Sequence, residues 1–183
     1  MRRVSGGDLN AVEALYDRYA PTLLAVALRI VRDRAEAEDV LHDAFVCVGD
    51  RAGQYVVERG TVAAWLVTLV RNLSIDRTRR RGRRGSILRD VLANDLEAII
   101  GAMPSNPETQ AVDASERGRI QRALASLPDA QRATLEIAFF EGLSYPEIAA
   151  REGVPLGTIK SRAARALASL RAALGENEDE EGE

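Results

Sequence analysis

The chain has 183 residues and a mass of 19.9 kDa, enough for one medium domain or two small ones and too short for a barrel enzyme. Hydrophobic residues make up 46% and charged residues 29%, a composition typical of a globular chain, while aromatic residues make up only 4%. Because alanine, leucine and valine are abundant and β-branched clusters are scarce, the composition predicts an all-α fold.

Few side chains could support catalysis or bind a metal. Cys47 is the only cysteine and His42 the only histidine, so an intrachain disulfide is excluded and a zinc site would be incomplete. No nucleophile–base pair or phosphate-binding loop is present, so we expect no enzyme, no cofactor and no metal. The first ten residues lack an apolar signal segment, and the apolar stretch at 22–30 is too short to span a bilayer. We therefore expect a cytoplasmic protein without membrane insertion.

The net charge of −3 conceals a segregation of charge along the chain. Residues 1–84 sum to +4, residues 85–110 to −3, residues 111–175 to +2 and residues 176–183 to −6. Six of the eight residues from 77 to 84 are arginine, a pattern that attracts phosphate. The alternative is a solvated basic helix end, favoured only by the helix dipole.

Capping signals predict the first two helices. Asp8 is a candidate N-cap for a helix that runs to Tyr19. Pro21 suits the first turn of a second helix, which would end near Arg32.

The next two helices are predicted from caps and apolar periodicity. Asp33 and Glu36 form a capping-box-like pair before a helix with one apolar face, and Thr61 begins another helix. The apolar face of the former comprises Ala37, Val40, Leu41, Ala44, Phe45 and Val48. The apolar stripe of the latter comprises Val62, Trp65, Leu66, Leu69, Val70 and Leu73.

The apolar periodicity of the helices is then lost until the second half of the chain. Prolines at 104 and 107 mark residues 85–110 as a linker. Helical patterns resume at 111 and are interrupted by Pro128 and Asp129, and the next helix should end at Gly142. The acidic residues 176–183 are expected to be disordered.

Residues 144–174 have the layout of a helix-turn-helix motif. Ser144 and Glu147 form a capping box, the short helix stops at Gly153, and a longer helix begins at Pro155. The residues expected where the two helices clasp are Ile148, Ala149, Val154 and Ile159. The core face of the longer helix should comprise Leu156, Ile159, Ala163, Ala166, Leu167, Leu170 and Leu174.

The opposite face of that longer helix is polar and basic. Arginine can donate in pairs to guanine, and serine and threonine serve bases or phosphates, so this face is a candidate major-groove reader. The alternative is ordinary solvated helix surface. The candidate DNA-binding residues are Thr158, Ser161, Arg162 and Arg165, with Lys160 on the flank and suited to phosphate.

Motifs in both halves resemble the bacterial extracytoplasmic-function (ECF) sigma factors. The motifs similar to their carboxy-terminal promoter-binding domain are Leu127-Pro128, Glu141-Gly142-Leu143-Ser144-Tyr145, Glu147-Ile148-Ala149, Gly157-Thr158-Ile159-Lys160-Ser161-Arg162 and Arg165-Ala166. Ala37-Glu38-Asp39 with Phe45 resembles their core-polymerase-binding helix. The motifs similar to their minus-ten-recognition helix are Trp65-Leu66, Arg71-Asn72 and Asp76-Arg77.

The resemblance implies two small helical domains joined by a flexible linker. Residues 1–84 would bind polymerase and melt the minus-ten element, and residues 111–175 would bind the minus-thirty-five element. Residues 85–110 would link these two domains, and residues 176–183 would form an acidic tail. The implied partners are core RNA polymerase, promoter DNA and an anti-sigma factor. The candidate polymerase-binding residues are Glu38, Asp39, His42, Asp43 and Val46. The candidate minus-ten-binding residues are Arg71, Asn72, Arg77, Arg79 and Arg80.

Two other functions remain open on the sequence. An ordinary helix-turn-helix regulator would bind DNA as a dimer and would leave residues 8–80 unexplained. A nonspecific RNA or DNA binder would act through the arginine run alone. The chain also departs from the family pattern, because Gly49 stands where a bulky aromatic residue is common and Cys47 where a polar residue is usual.

Overall fold

A computed structural model of the chain describes residues 1–57, 60–82 and 110–175. The chain divides into two compact units, Met1–Ile87 and Leu88–Glu183. Every regular element in the described ranges is helical, which confirms the all-α prediction. Within these ranges no helix combines the length and apolar character needed to cross a membrane. The predicted linker up to residue 109 and the acidic tail lie outside the described residues.

The first unit is built from three main helices that pack against one another. Its helices are α1 (Arg2–Ser5), α2 (Leu9–Val31), α3 (Arg34–Arg51) and α4 (Val62–Gly82), with a 3-10 turn at Ala52–Gln54. Helix α2 packs on both α3 and α4, and α3 packs on α4. The core of this unit therefore lies between these three helices.

The three predicted N-caps of this unit are confirmed. The Asp8 carboxylate accepts a hydrogen bond from the N–H of residue 11 at 3.3 Å, and the Asp33 carboxylate accepts one from the N–H of Glu36 at 3.0 Å. The Thr61 hydroxyl accepts one from the N–H of residue 64 at 3.3 Å. Each bond satisfies an amide of the first helical turn that has no partner within the helix.

The predicted helix break at Pro21 is wrong, because α2 continues through this proline without interruption. Tyr19 and Ala20 before it, and Leu23 and Ala27 after it, are all buried. Pro21 itself is exposed, and because proline has no N–H to donate, α2 lacks one backbone hydrogen bond at this position. Burial of apolar residues on both sides of the proline favours one continuous helix.

The buried surface of α4 is wider than the predicted stripe. Leu66, Leu69 and Val70 are buried as predicted, whereas Val62, Trp65 and Leu73 are only half-buried. Further buried residues of α4 are Ala63, Ala64, Val67, Ser74 and Ile75. The physical reason is that α4 contacts both α2 and α3, which cover more of its circumference than one stripe.

Helix α1 was not predicted from the sequence. Its Val4 is buried, and the helix contacts α3 and the 3-10 turn. Arg3 Nε donates a hydrogen bond to the Asp8 carboxylate at 2.8 Å, and this bond is the main reason that the pKa of Asp8 lies below its ordinary value. The Arg3–Asp8 pair thus joins α1 to the start of α2.

The described part of the second unit, residues 110–175, contains four helices and two core clusters. Its helices are α5 (Gln110–Ala125), α6 (Asp129–Glu136), which continues as a π-helical turn (Ile137–Glu141), α7 (Tyr145–Glu152) and α8 (Leu156–Gly175). The larger cluster comprises Ala123, Leu127, Leu135, Ala163, Ala166, Leu167, Leu170 and Leu174. The prediction that Leu156 belongs to the core is wrong, since it is 37% exposed. As the first residue of α8 it lies outside both clusters.

Candidate functional site

The helix-turn-helix motif is formed by α7, a tight turn and α8. The carboxylate of Glu147 accepts hydrogen bonds from the backbone N–H of Ser144 at 2.7 Å and from its hydroxyl at 2.6 Å. Gly153 ends α7 in the left-handed conformation, with φ 68° and ψ 28°, and the N–H of Val154 donates to the carbonyl of Ala149 at 3.1 Å. The predicted capping box and turn are both confirmed.

A small apolar cluster holds these two helices together. Ile148 of α7 and Ile159 of α8 are fully buried, and Ala149 is small enough to be buried between them. Ala138 of the π-helical turn completes the cluster, and Val154 packs against it. The four predicted clasp residues therefore meet as expected. This packing fixes how α8 presents its outer face.

The candidate DNA-binding residues of α8 differ in exposure. Lys160 and Arg165 are exposed, whereas Thr158, Ser161 and Arg162 are half-buried. The Ser161 hydroxyl donates a hydrogen bond to the carbonyl of Thr158 at 2.9 Å, so this hydroxyl already has a partner within the helix. All five lie outside the core clusters of the second unit.

The two arginines of this face stand in different electrostatic surroundings. Arg162 Nη1 lies 3.2 Å from Glu152 Oε2, and their side chains are 26% and 28% exposed. The ion pair connects α8 to the end of α7. Among the described residues no ion pair involves Arg165, so its guanidinium is available to a nucleic-acid acceptor.

The basic end of α4 combines a half-buried and an exposed cation. Arg71 is half-buried and its Nη1 donates to Asn72 Oδ1 at 3.1 Å. Burial, followed by the charge of Arg79, lowers the pKa of Arg71 to about 10, so it stays protonated at neutral pH. A desolvated cation beside a second cation is stabilised by an approaching phosphate. Arg79 is half-buried and Arg80 is exposed.

The candidate polymerase-binding residues share the exposed side of α3. Val46 is 59% exposed, an unusual position for an aliphatic residue beside carboxylates. Glu38 pairs with Arg34, whose Nε lies 2.9 Å from Glu38 Oε1. The residues placed together on this side, which we call the docking face, are Glu38, Asp39, His42, Asp43 and Val46, and all five are exposed.

Arg77 was predicted to be a minus-ten residue, and its guanidinium contacts the docking face on α3. Its Nη2 is 2.6 Å from Asp39 Oδ2 and its Nη1 is 3.8 Å from Asp43 Oδ2, so it contacts two residues of the docking face. Arg77 and Asp39 are 38 positions apart in the chain. Sequence reasoning treated them as members of two separate sites because no local pattern connects them.

An aromatic pair beside the docking face was also missed. The rings of Tyr16 on α2 and Phe45 on α3 meet edge to face with their centroids 4.9 Å apart. Tyr16 is half exposed, and Leu9, seven positions earlier on the same side of α2, is largely exposed. The seven-residue spacing of Leu9 and Tyr16 is the signal that could have identified this patch.

No group of three or more His, Cys, Asp or Glu side chains in the described ranges is arranged to hold a metal ion. Cys47 is a half-buried thiol on α3.

Comparisons with known proteins match both halves of the chain. The model of the family Sigma-70 region 2 matches residues 15–84, and that of Sigma-70, region 4 matches residues 117–170. The ECF RNA polymerase sigma factor SigK of Mycobacterium sp. (strain KMS) is 32% identical over 180 residues, covering 96% of this chain and 89% of that protein. SigK of Mycobacterium tuberculosis (strain H37Rv) is 31% identical over 176 residues, covering 93% of this chain and 89% of that protein.

A solved structure that is similar to this chain is that of Rhodobacter sphaeroides SigE in complex with the anti-sigma ChrR. It is 31% identical, covers 93% of each chain and has a TM-score of 0.48. The family assignment rests on sequence: two family models match in chain order, and the relatives are similar over nearly the whole chain. On this evidence the chain belongs to the ECF RNA polymerase sigma factors.

Proposed function

We propose that this sigma factor uses separate surfaces for polymerase and for promoter DNA. The docking face on α3 binds core RNA polymerase, α4 contacts the melted minus-ten element, and α8 reads the minus-thirty-five element. The domains are those expected from the sequence: 1–84, the linker 85–110, 111–175 and the tail 176–183. The two compact units and the two family-model matches support this division.

The observation that carries this proposal is the opposite charge of two exposed helix faces. Asp39 and Asp43 are exposed on α3, and charge complementarity of this kind suits a basic protein surface. Lys160 and Arg165 are exposed on α8, where cations suit DNA. Backbone contacts to melted DNA require cations as well, and the end of α4 supplies Arg80 and its neighbours.

The proposed role is non-enzymatic and needs no cofactor, because the polymerase supplies the chemistry. The protein would act in the cytoplasm, where polymerase and promoter meet. We also propose the anti-sigma partner that the family resemblance implies. Its test is co-purification of the tagged full-length chain from uninduced cells, where a stoichiometric second protein is expected.

The decisive experiment is a pull-down with core polymerase followed by run-off transcription on a promoter library. Asp39→Asn with Asp43→Asn should weaken the binding of core polymerase and leave the helical content unchanged, because both side chains are exposed. Glu13→Gln with Asp17→Asn is a matched control, since these two carboxylates are exposed and have the same spacing on α2. Equal affinity of all three proteins for core polymerase would refute the assignment of the docking face.

An ordinary helix-turn-helix regulator would behave differently in the same experiment. It would form a dimer on a palindromic site and would not enrich core polymerase. Run-off transcripts that depend on the added chain would exclude that function.

A further inference from the structure

We propose that Arg77 is a positioning residue of the docking face and not a DNA-contacting residue. The proposal rests on the proposed function of that face. It reassigns a residue that the sequence placed among the minus-ten contacts, and it links α4 to polymerase binding. The observation behind it is the contact of one guanidinium with two carboxylates of α3.

The guanidinium of Arg77 contacts the carboxylates of both Asp39 and Asp43. Asp39 and Asp43 are four positions apart on α3, where two like charges repel each other. Arg77 Nη2 lies 2.6 Å from Asp39 Oδ2 and Nη1 lies 3.8 Å from Asp43 Oδ2, so the cation relieves this repulsion. Both contacts use Oδ2, so Oδ1 of each carboxylate takes no part in these two contacts.

Burial supports a positioning role for the cation. The Arg77 side chain is 33% exposed, whereas those of Asp39 and Asp43 are 63% and 62% exposed. The arginine is therefore less accessible than the two carboxylates, which are the more exposed groups for a partner that approaches α3. Holding two side chains in one arrangement before binding reduces the conformational entropy lost on binding.

The same arrangement makes Arg77 a poor phosphate ligand. Both of its terminal nitrogens are engaged by carboxylates, and a phosphate would have to approach two negative charges. Arg80, one turn further along α4, is exposed and has no ion pair among the described residues. Arg80 is therefore the matched control, with the same side chain on the same helix.

The test measures core polymerase binding and DNA binding separately for the full-length chain. Arg77→Gln should weaken the affinity for core polymerase about fivefold, mainly through faster dissociation, because the acids lose their common anchor. Arg80→Gln should leave that affinity unchanged. DNA binding is then measured with saturating core polymerase on a pre-melted promoter duplex recovered from the run-off library. In this measurement Arg77→Gln should leave the salt dependence of DNA binding unchanged.

A double-mutant cycle distinguishes positioning from a general effect on folding. Asp39→Asn combined with Arg77→Gln should weaken core binding by less than the product of the two single effects, because the second change removes an interaction already lost. Thermal unfolding of each variant, followed by circular dichroism, establishes that all are folded at the assay temperature. Arg77→Lys should behave more like Arg77→Gln than like the parent, since an ammonium lacks the two separate terminal nitrogens with which Arg77 contacts the two carboxylates.

The outcomes separate this inference from the proposed function. If Asp39→Asn with Asp43→Asn weakens core binding and Arg77→Gln does not, the docking face stands and the positioning role is refuted. If Arg77→Gln makes the salt dependence of DNA binding shallower by about 0.7, the slope of one single-strand phosphate contact, Arg77 is a DNA ligand and the inference is wrong. If the two aspartate changes have no effect, the proposed docking face itself fails.

Discussion

Truncation of Arg165 to alanine should weaken binding to the minus-thirty-five element without unfolding the second unit. The side chain is exposed, and no ion pair among the described residues involves it, so its removal should change the free energy of unfolding by less than about 0.5 kcal/mol. A bidentate contact with a guanine edge would instead make Arg165→Ala cost about 1–3 kcal/mol in binding. That loss corresponds to an affinity about 5- to 150-fold weaker.

Arg162 should show a smaller loss than Arg165. Its Nη1 is 3.2 Å from Glu152 Oε2, so a base contact must share or break this ion pair. Partly exposed ion pairs of this kind contribute about 0.2–1 kcal/mol to the free energy of unfolding. The binding free energy that a DNA contact of Arg162 supplies is reduced by up to that amount. Glu152→Gln should accordingly tighten DNA binding, because it releases Arg162 and removes a negative charge beside the phosphates.

The assay compares each variant, as holoenzyme, on a promoter duplex selected by run-off and on a duplex with a scrambled minus-thirty-five element. Both duplexes are measured at one fixed salt concentration, because phosphate contacts are strongly salt-dependent. Loss of a base contact should weaken binding to the selected duplex far more than binding to the scrambled one. Equal losses on both duplexes for both arginines would show that α8 contacts only phosphate.

Three further predictions concern stability, pH and salt. Gly49→Ala should raise the free energy of unfolding by about 0.5–1 kcal/mol and Gly153→Ala should lower it by about 1–2 kcal/mol, measured by thermal unfolding. Neither added methyl group meets an atom within 4 Å, and of these two glycines only Gly153 has a positive φ, of 68°. Equal changes in the free energy of unfolding for the two variants would therefore contradict this reasoning. Arg3→Gln should raise the pKa of Asp8, followed by NMR titration, towards its ordinary value of 3.8. Because the pKa in the folded state is lowered, the pair stabilises the fold fully above 3.8 and loses this effect as the pH falls through the folded value; an unchanged titration would disprove the coupling. Arg80→Gln should make the salt dependence of binding to single-stranded minus-ten DNA shallower by about 0.7, and an identical slope would mark Arg80 as a solvated helix end.

The sequence alone determined the features that depend on neighbours three or four positions apart. Asp33 caps α3, Ser144 and Glu147 form the capping box, and Gly142 and Gly153 end helices in the left-handed conformation, all as predicted. Such signals act within a single turn of helix, so they can be read without knowledge of the fold. The family resemblance was also local, since it rested on short motifs of adjacent residues within helices and at the connections between them.

Apolar periodicity predicted burial well only where a helix has a single packed side. On α3 five of the six predicted residues are buried and Phe45 is half-buried against Tyr16. On α4 the same reasoning missed buried residues such as Ala63 and Val67, because two neighbouring helices cover it. The number of neighbours around a helix is a property of the tertiary structure.

Tertiary structure alone decided three features that bear on function. Pro21 lies within α2 because burial on both sides of it outweighs the loss of one hydrogen bond. Leu156 is exposed because α8 begins outside the core clusters. Arg77 contacts Asp39, 38 positions away in the chain, and Asp43 because α3 packs against α4. Capping is decided by chain neighbours, whereas burial and this ion pair are decided by which helices meet.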